Sequence, residues 1–420
     1  MTPSIRTDRA LVRAGSASVR YALAAIAAPS APPRSGRLPV HIALVLDRSG
    51  SMAGEKIVMA RRAAVQAIRS LRDEDRFSVV VYDSEIQLLV PSTPATAEAR
   101  EQAARLLKSV QPRSNTDLCG GWLRGCEQVG QQLADDAVGR ALLLTDGLAN
   151  QGITDRAEIL RHAAALRLRR VSTTTFGVGA DFDDALLRGM AEAGGGNFYF
   201  VQDAVQIPDY IASETGEVLE VVAREANLIV DAGAGVVVAS LNDFPVRHAD
   251  GACQVALGSL VSRQQLDAVL RLQFPAGTAG ETQRLRVRLE DQDHALAGDA
   301  VELAFTYATD SENDAQPRDR VVDRAVARLY AAQAEQRAVE RNRAGDYAGA
   351  REELLACAGR IREYAGQDAD LLAQVAELGQ KANELGSDIG EMARKFRSTS
   401  SSYALKDRMI LGTSRRRQMN

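Results

Sequence analysis

Apolar residues in the first half of the chain alternate between two patterns. Residues 41–46, 76–82, 140–145 and 197–201 are short, mostly apolar runs, as expected of strands buried on both faces, and 172–178 reads as a further strand. Between them, residues 54–71, 97–110, 117–133, 157–169 and 183–193 carry apolar side chains at helical spacing. Ile57, Ala60, Ala64, Ala67, Ile68 and Leu71 show it best, and Asp181 or Asp183 is placed to cap the last helix. Residues 86–90 read as a hairpin partner of 76–82, and 205–213 as the closing segment. This strand–helix alternation predicts an α/β fold: a doubly wound, mostly parallel, Rossmann-like sheet with helices on both faces.

From residue 217 to 309 the period falls to two, as in Val218-Leu219-Glu220-Val221-Val222, Ala226-Asn227-Leu228-Ile229-Val230 and Leu285-Arg286-Val287-Arg288-Leu289. Short alternating strands with Gly, Asp and Pro punctuation predict an antiparallel β-sandwich. Residues 16–23 alternate too, so an N-terminal strand within 5–28 is expected to join the sandwich, leaving the α/β segment as an insertion after the linker at 29–36. From Arg318 the pattern turns helical, with a stripe of Val321, Val322, Ala325, Val326, Leu329 and Tyr330. A tight turn at 344–350 leads to a second helix over 347–364, and Gly366 and Gly386 suggest further breaks. The turn looks like one tetratricopeptide-type helix pair, but no repeat follows it. The expected organisation is strand and linker over 1–37, the α/β domain over 38–215, the sandwich over 216–310, helices over 311–397 and a basic, mobile tail over 398–420.

At 420 residues the chain exceeds a single ordinary core. A net charge of −4 argues against wholesale nucleic-acid binding. That charge is uneven: residues 395–420 hold seven Lys or Arg against Asp407, a net of +6, which leaves −10 for the rest. Arg415-Arg416-Arg417 is either a solvated basic end or a contact for an acidic surface. Cys119, Cys126, Cys253 and Cys357 have neither CxxC nor metal-finger spacing and fit a reducing, cytoplasmic setting. No apolar run is long enough to span a bilayer. Residues 21–28 only faintly imitate an export signal, being alanine-rich and abutted by Arg20.

The candidate chemistry lies at the ends of the apolar runs. The first ends in Asp47-Arg48-Ser49-Gly50-Ser51, one carboxylate and two hydroxyls on a single turn. The run 140–145 ends at Asp146, and Thr116 lies in a loop before a helix. All five side chains offer hard oxygens, the ligands Mg²⁺ prefers, and ligand sites in open parallel sheets form at the carboxyl ends of strands. The plainer alternative is that Ser49 and Ser51 cap the following helix.

In order and setting, these five positions resemble the metal-ion-dependent adhesion site (MIDAS) of von Willebrand factor A (VWA) domains, over about residues 38–215. The embedding in a sandwich resembles inter-alpha-trypsin-inhibitor-like proteins. The resemblance implies that Asp47, Ser49, Ser51, Thr116 and Asp146 hold Mg²⁺, with Mn²⁺ or Ca²⁺ as alternatives, and that a protein partner's Asp or Glu takes the open position. One departure from the family is Arg113-Ser114-Asn115-Thr116-Asp117, where a glycine pair is usual. Asp117 either faces the metal and weakens carboxylate capture or caps the next helix, and the cap is the favoured reading. Arg48 and Met52 flank the ligands and are candidates to shape a partner surface, with an ordinary exposed loop arginine as the alternative for Arg48. None of His41, His162, His248 and His294 lies in a motif with Ser or Cys, His248 and His294 are expected in loops of the sandwich, and no phosphate-cradling GxxxxGK[ST] occurs. The expectation is a non-enzymatic, Mg²⁺-dependent interaction scaffold. Its alternative is a regulatory subunit of an enzyme complex, such as an AAA+ ATPase, a chelatase-like assembly or a kinase–phosphatase set.

Overall fold

The structure is a computed structural model that describes residues 2–30, 39–113, 115–134, 137–146, 149–179, 182–201, 210, 214, 221–233, 235–249, 252–292, 294–296, 298–406 and 408–410. The chain divides into two compact units, Met1–Pro32 with Val221–Asn420, and Pro33–Glu220.

The first unit begins with β1 (Ser4–Thr7), β2 (Leu11–Arg13) and β3 (Ser18–Ala27). The chain then runs through the second unit: β4 (Val40–Asp47), α1 (Glu55–Ser70), β5 (Arg76–Tyr82), β6 (Ile86–Pro94), α2 (Ala97–Lys108), α3 (Leu118–Gly130), β7 (Val138–Thr145), α4 (Arg156–Leu168), β8 (Val171–Val178), α5 (Asp184–Ala193) and β9 (Gly195–Val201). Its sheet has the order β6-β5-β4-β7-β8-β9, parallel throughout except for the antiparallel edge strand β6. Every residue of β4 is buried, because helices cover both faces. Ile57, Ala60, Ala64 and Ile68 of α1 pack with α2 on one face, and Trp122 and Cys126 of α3 pack with Ile159 of α4 and Leu187 of α5 on the other. Thr96, Asp117, Asp155 and Asp183 cap their helices by accepting a backbone N–H three residues on. α3 lies unusually close to the sheet. A Cβ on Gly121 would stand 2.4 Å from the Tyr82 ring, and one on Gly125 2.3 Å from Val45 Cγ2. These two glycines bring the start of α3, and Asp117 before it, to the carboxyl ends of β4 and β5.

The chain returns to the first unit with β10 (Val221–Asp231), β11 (Val237–Ser240), β12 (Val246–Ala249), β13 (Ala252–Val261), β14 (Gln264–Phe274), β15 (Thr282–Glu290) and β16 (Val301–Ala308). One sheet has the order β1-β3-β14-β11, with a short strand β17 (Arg408–Ile410) also on β14. The other has β12-β13-β10-β15-β16-β2. β3 and β14 pair over ten residues, from Ser18 opposite Phe274 to Ala27 opposite Gln265, so the N-terminal strand does join the sandwich. The helices are α6 (Asp310–Ala315), α7 (Arg320–Arg343), α8 (Tyr347–Ala365), α9 (Ala369–Leu385) and α10 (Gly390–Lys406). Val322, Val326 and Leu329 of α7 pack against Leu23 and Val269 of the sandwich.

Three expectations change. Residues 221–222 and 226–230, expected in two separate strands, share one strand, β10, whose register shifts near Glu225, where φ is +49°, while residues 218–220 lie outside the described residues. His248, expected in a loop, lies on β12. Residues 398–406, expected as the start of a mobile tail, continue α10, with Thr399, Ser401, Ser402 and Leu405 buried. Ser401 and Ser402 donate to the carbonyl of Ser398 at 3.0 and 2.9 Å, so local bonds satisfy hydroxyls that read as solvent-facing. Most of the expected linker, all but one residue of 205–213, Asp181 and Arg415–Arg417 lie outside the described residues. Among the described residues no helix is long and apolar enough to cross a membrane.

Candidate metal centre

β4 delivers Asp47 to the carboxyl edge of the sheet, fully buried. Both carboxylate oxygens are engaged: Oδ1 accepts the Ser49 backbone N–H at 2.7 Å, and Oδ2 accepts the Thr145 hydroxyl at 2.6 Å. Burial pushes the Asp47 carboxyl above its ordinary range, against the hydrogen bonds from Thr145 and Ser49, and the neighbouring Asp146 pushes the same way as burial. The turn after β4 forms a short 3₁₀ segment, Gly50–Met52. It sets Ser49 Oγ 3.1 Å from Ser51 Oγ, and Ser51 donates to Asp146 Oδ1 at 2.8 Å. Lys56, on the first turn of α1, donates to Asp146 Oδ2 at 2.5 Å. Asp47, Ser49, Ser51 and Asp146 are therefore joined by one chain of hydrogen bonds, although about a hundred residues separate the first and last.

Thr116 is placed by its backbone. Its N–H donates to Asn150 Oδ1 at 2.8 Å, and its carbonyl accepts from the N–H groups of Asn150 and Gln151, so its loop is tied to the segment after Asp146. It is 3% exposed, and among the described residues its hydrogen bonds are those of its backbone. Asp117 is a helix cap: Oδ1 accepts the Gly120 N–H at 2.9 Å. Gly152, at φ +70°, lies so close to Asp117 that a Cβ there would stand 2.4 Å from Oδ1.

The loops are cross-braced by Asp83, which no sequence pattern marked. Its Oδ2 pairs with Arg48 Nε at 3.0 Å and Arg113 Nε at 2.8 Å, and its carbonyl accepts the Asp117 N–H at 2.8 Å. Arg48, at 7% exposure and also bonded to Gln87, is a buried brace, neither an exposed loop arginine nor a partner-facing one. Met52 belongs to the apolar core, fully buried, and shapes no partner surface. Lys56 also escaped notice, because a lysine in a first helical turn reads as part of a solvated face. The available signal was its sign: a cation at a helix N-terminus opposes the helix dipole and calls for a compensating carboxylate.

The donor set suits a hard divalent cation. The chain of contacts presents two carboxylates and two hydroxyls, all oxygen, and the buried carboxylates outnumber the one ammonium that meets them. Among the described residues no three His, Cys, Asp or Glu side chains gather into a metal-holding group, so an ion held here depends on hydroxyl ligands.

Comparison with known proteins agrees with the fold. Residues 41–213 match the family model of the von Willebrand factor type A domain. The chain is 25% identical over 201 residues to the uncharacterized protein YfbK of Escherichia coli (strain K12), a match that covers 47% of this chain and 35% of that one. It is 27% identical over 198 residues to human inter-alpha-trypsin inhibitor heavy chain H4, covering 45% of this chain and 21% of that one. The chain thus spans about a third and a fifth of these two relatives. A solved structure titled von Willebrand factor type A, from Catenulispora acidiphila, superposes with a TM-score of 0.67 at 16% identity and covers 97% of each chain, which shows a shared fold. Residues 41–213 form a von Willebrand factor type A domain.

Proposed function

We propose that this chain, as the bearer of a von Willebrand factor type A domain, is a non-enzymatic interaction scaffold. Asp47, Ser49, Ser51, Thr116 and Asp146 would hold Mg²⁺, with Mn²⁺ or Ca²⁺ as substitutes, for capture of an Asp or Glu of a protein partner. The observation that carries the proposal is the hydrogen-bonded chain from Asp47 through Ser49 and Ser51 to Asp146. A divalent ion there supplies a Lewis-acidic position for an incoming carboxylate. The protein's own part is orientation: Thr145 and the Ser49 N–H fix Asp47, and the Gly120 N–H engages Asp117 as a cap. Neutral hydroxyls add no negative charge beyond that of the two aspartates, so the ion stays able to accept an incoming anion. His41 lies at the far end of β4 from Asp47, and His162 sits on α4, 3.9 Å from Glu158, so neither supplies a base beside the site's hydroxyls. Four free, buried cysteines support a cytoplasmic setting.

A regulatory subunit of an enzyme complex would present the helical C-terminus and its basic tail as the contact. The first basic residues there are used internally: Lys395 is buried, and Arg397 pairs with Glu335 at 3.1 Å and also with Glu384.

Affinity capture tests the proposal, comparing wild type with Asp47→Ala/Ser49→Ala in Mg²⁺ and in EDTA. A protein retained only by the intact site with Mg²⁺ is the expected result. Identical captures under all four conditions would contradict it.

A further inference from the structure

We infer that Lys56 is a built-in cation of the metal centre, one that loosens the site's hold on the divalent ion and tightens its hold on an anionic partner group. The inference rests on the proposed function and adds the residue that sets the balance between the two affinities.

Three observations carry it. The Lys56 ammonium lies 2.5 Å from Oδ2 of Asp146, whose side chain is fully buried, while 22% of the lysine side chain is exposed. The cation is therefore engaged with a proposed ligand and not free on the helix surface. Its path is also shaped: at Gly179, just past the end of β8, φ is +81° and a Cβ would stand 2.8 Å from Lys56 Cε. Any side chain at 179 would be strained and would crowd the lysine stem. Finally, Lys56 is the second residue of α1, where a positive charge opposes the helix dipole, so this pairing with Asp146 offsets an unfavourable placement.

The charge count gives the consequence. Asp47 and Asp146 carry two negative charges, and Ser49, Ser51 and Thr116 carry none. With a divalent ion alone the centre would be neutral, whereas with Lys56 it carries one positive charge. Like charges repel, so Lys56 lowers affinity for the ion. The surplus charge attracts a carboxylate, so Lys56 raises affinity for the partner group. A lysine that only braced the fold would lower both affinities when removed. A lysine acting as a resident cation moves them in opposite directions.

The experiment uses the full chain with Mn²⁺ as the ion and acetate as the carboxylate. Free Mn²⁺ is followed by electron paramagnetic resonance, and acetate binding by its displacement of water from bound Mn²⁺, read as water-proton relaxation. Lys56→Met is expected to bind Mn²⁺ roughly tenfold more tightly than wild type, and its Mn²⁺ form to bind acetate several-fold more weakly. Lys56→Gln, which keeps a polar end, is expected to shift both values the same way and stands in if the methionine variant does not fold. Equal or weaker Mn²⁺ binding by both variants would overturn the role of Lys56 while leaving the proposed function standing. No saturable Mn²⁺ binding by wild type would overturn both.

Discussion

Glu214 is met by donors on three strands: Arg140 of β7 pairs with it, Thr174 of β8 donates to Oε2 at 2.7 Å, and Asn197 and Tyr199 of β9 each donate to Oε1 at 2.8 Å. Asp47 and Asp146, buried in the same unit, are met mainly by hydroxyls and one lysine. The first arrangement gives a buried anion a guanidinium and three further donors, which is how a carboxylate is used to hold a fold together. In the second, the partners are groups that either keep lone pairs of their own, as Ser49, Ser51 and Thr145 do, or sit on a long, partly exposed stem, as the Lys56 ammonium does. Burial, which the two centres share, does not separate a structural carboxylate from one proposed to hold a metal ion. What separates them is whether their partners can turn to a new ion.

The contrast is sharpest under mutation. Arg140→Ala should have the largest effect, because it leaves Glu214 charged and buried without its cation. A loss of about 3–5 kcal/mol in urea denaturation is expected, with any stabilisation by Mg²⁺ retained. A loss under about 1 kcal/mol would show that the hydroxyl and amide donors suffice. Next comes Asp83, the brace of the site loops. Burial raises its carboxyl, but the bonds from Arg113 and the Glu85 N–H, with the charges of Arg48 and Arg113, outweigh burial and hold it below its ordinary 3.8. A carboxyl lowered in the folded state stabilises above its unfolded value, and that contribution is lost as the pH falls through the folded value. Asp83→Asn should therefore cost about 1–3 kcal/mol near neutrality and flatten the acid limb of the stability curve. An unchanged acid limb would remove Asp83 from the account. The smallest effect is expected from Asp117→Ala, about 1 kcal/mol for a lost helix cap, with the response to Mg²⁺ intact. Loss of that response would instead make Asp117 part of the metal centre.

The parts legible in the sequence were those written locally. β4 and β7 were visible as apolar runs, and their terminal aspartates marked the sheet edge where Ser49 and Ser51 follow. Asp117 as a cap was likewise a local reading. The illegible parts depend on side chains that meet only after folding. Lys56 and Asp146 are ninety residues apart, and Asp83 meets Arg48 and Arg113 from separate loops. Charged residues of this kind look solvated until the partner is known. Met52 failed for the opposite reason: it neighbours the ligands in sequence, but the 3₁₀ turn sends it into the core. In α10 the serines suggested mobility because their bonds to Ser398 carry no sequence signature.

The central claim is that Asp47 and Asp146 belong to a divalent-cation site. The direct measurement is a Mn²⁺ titration of wild type, Asp47→Ala and Asp146→Ala followed by electron paramagnetic resonance, with circular dichroism to verify folding. The account predicts one saturable site per wild-type chain, displaced by Mg²⁺, and at least a tenfold loss of affinity in either folded variant. Saturation of wild type and both variants at the same Mn²⁺ concentration would contradict it.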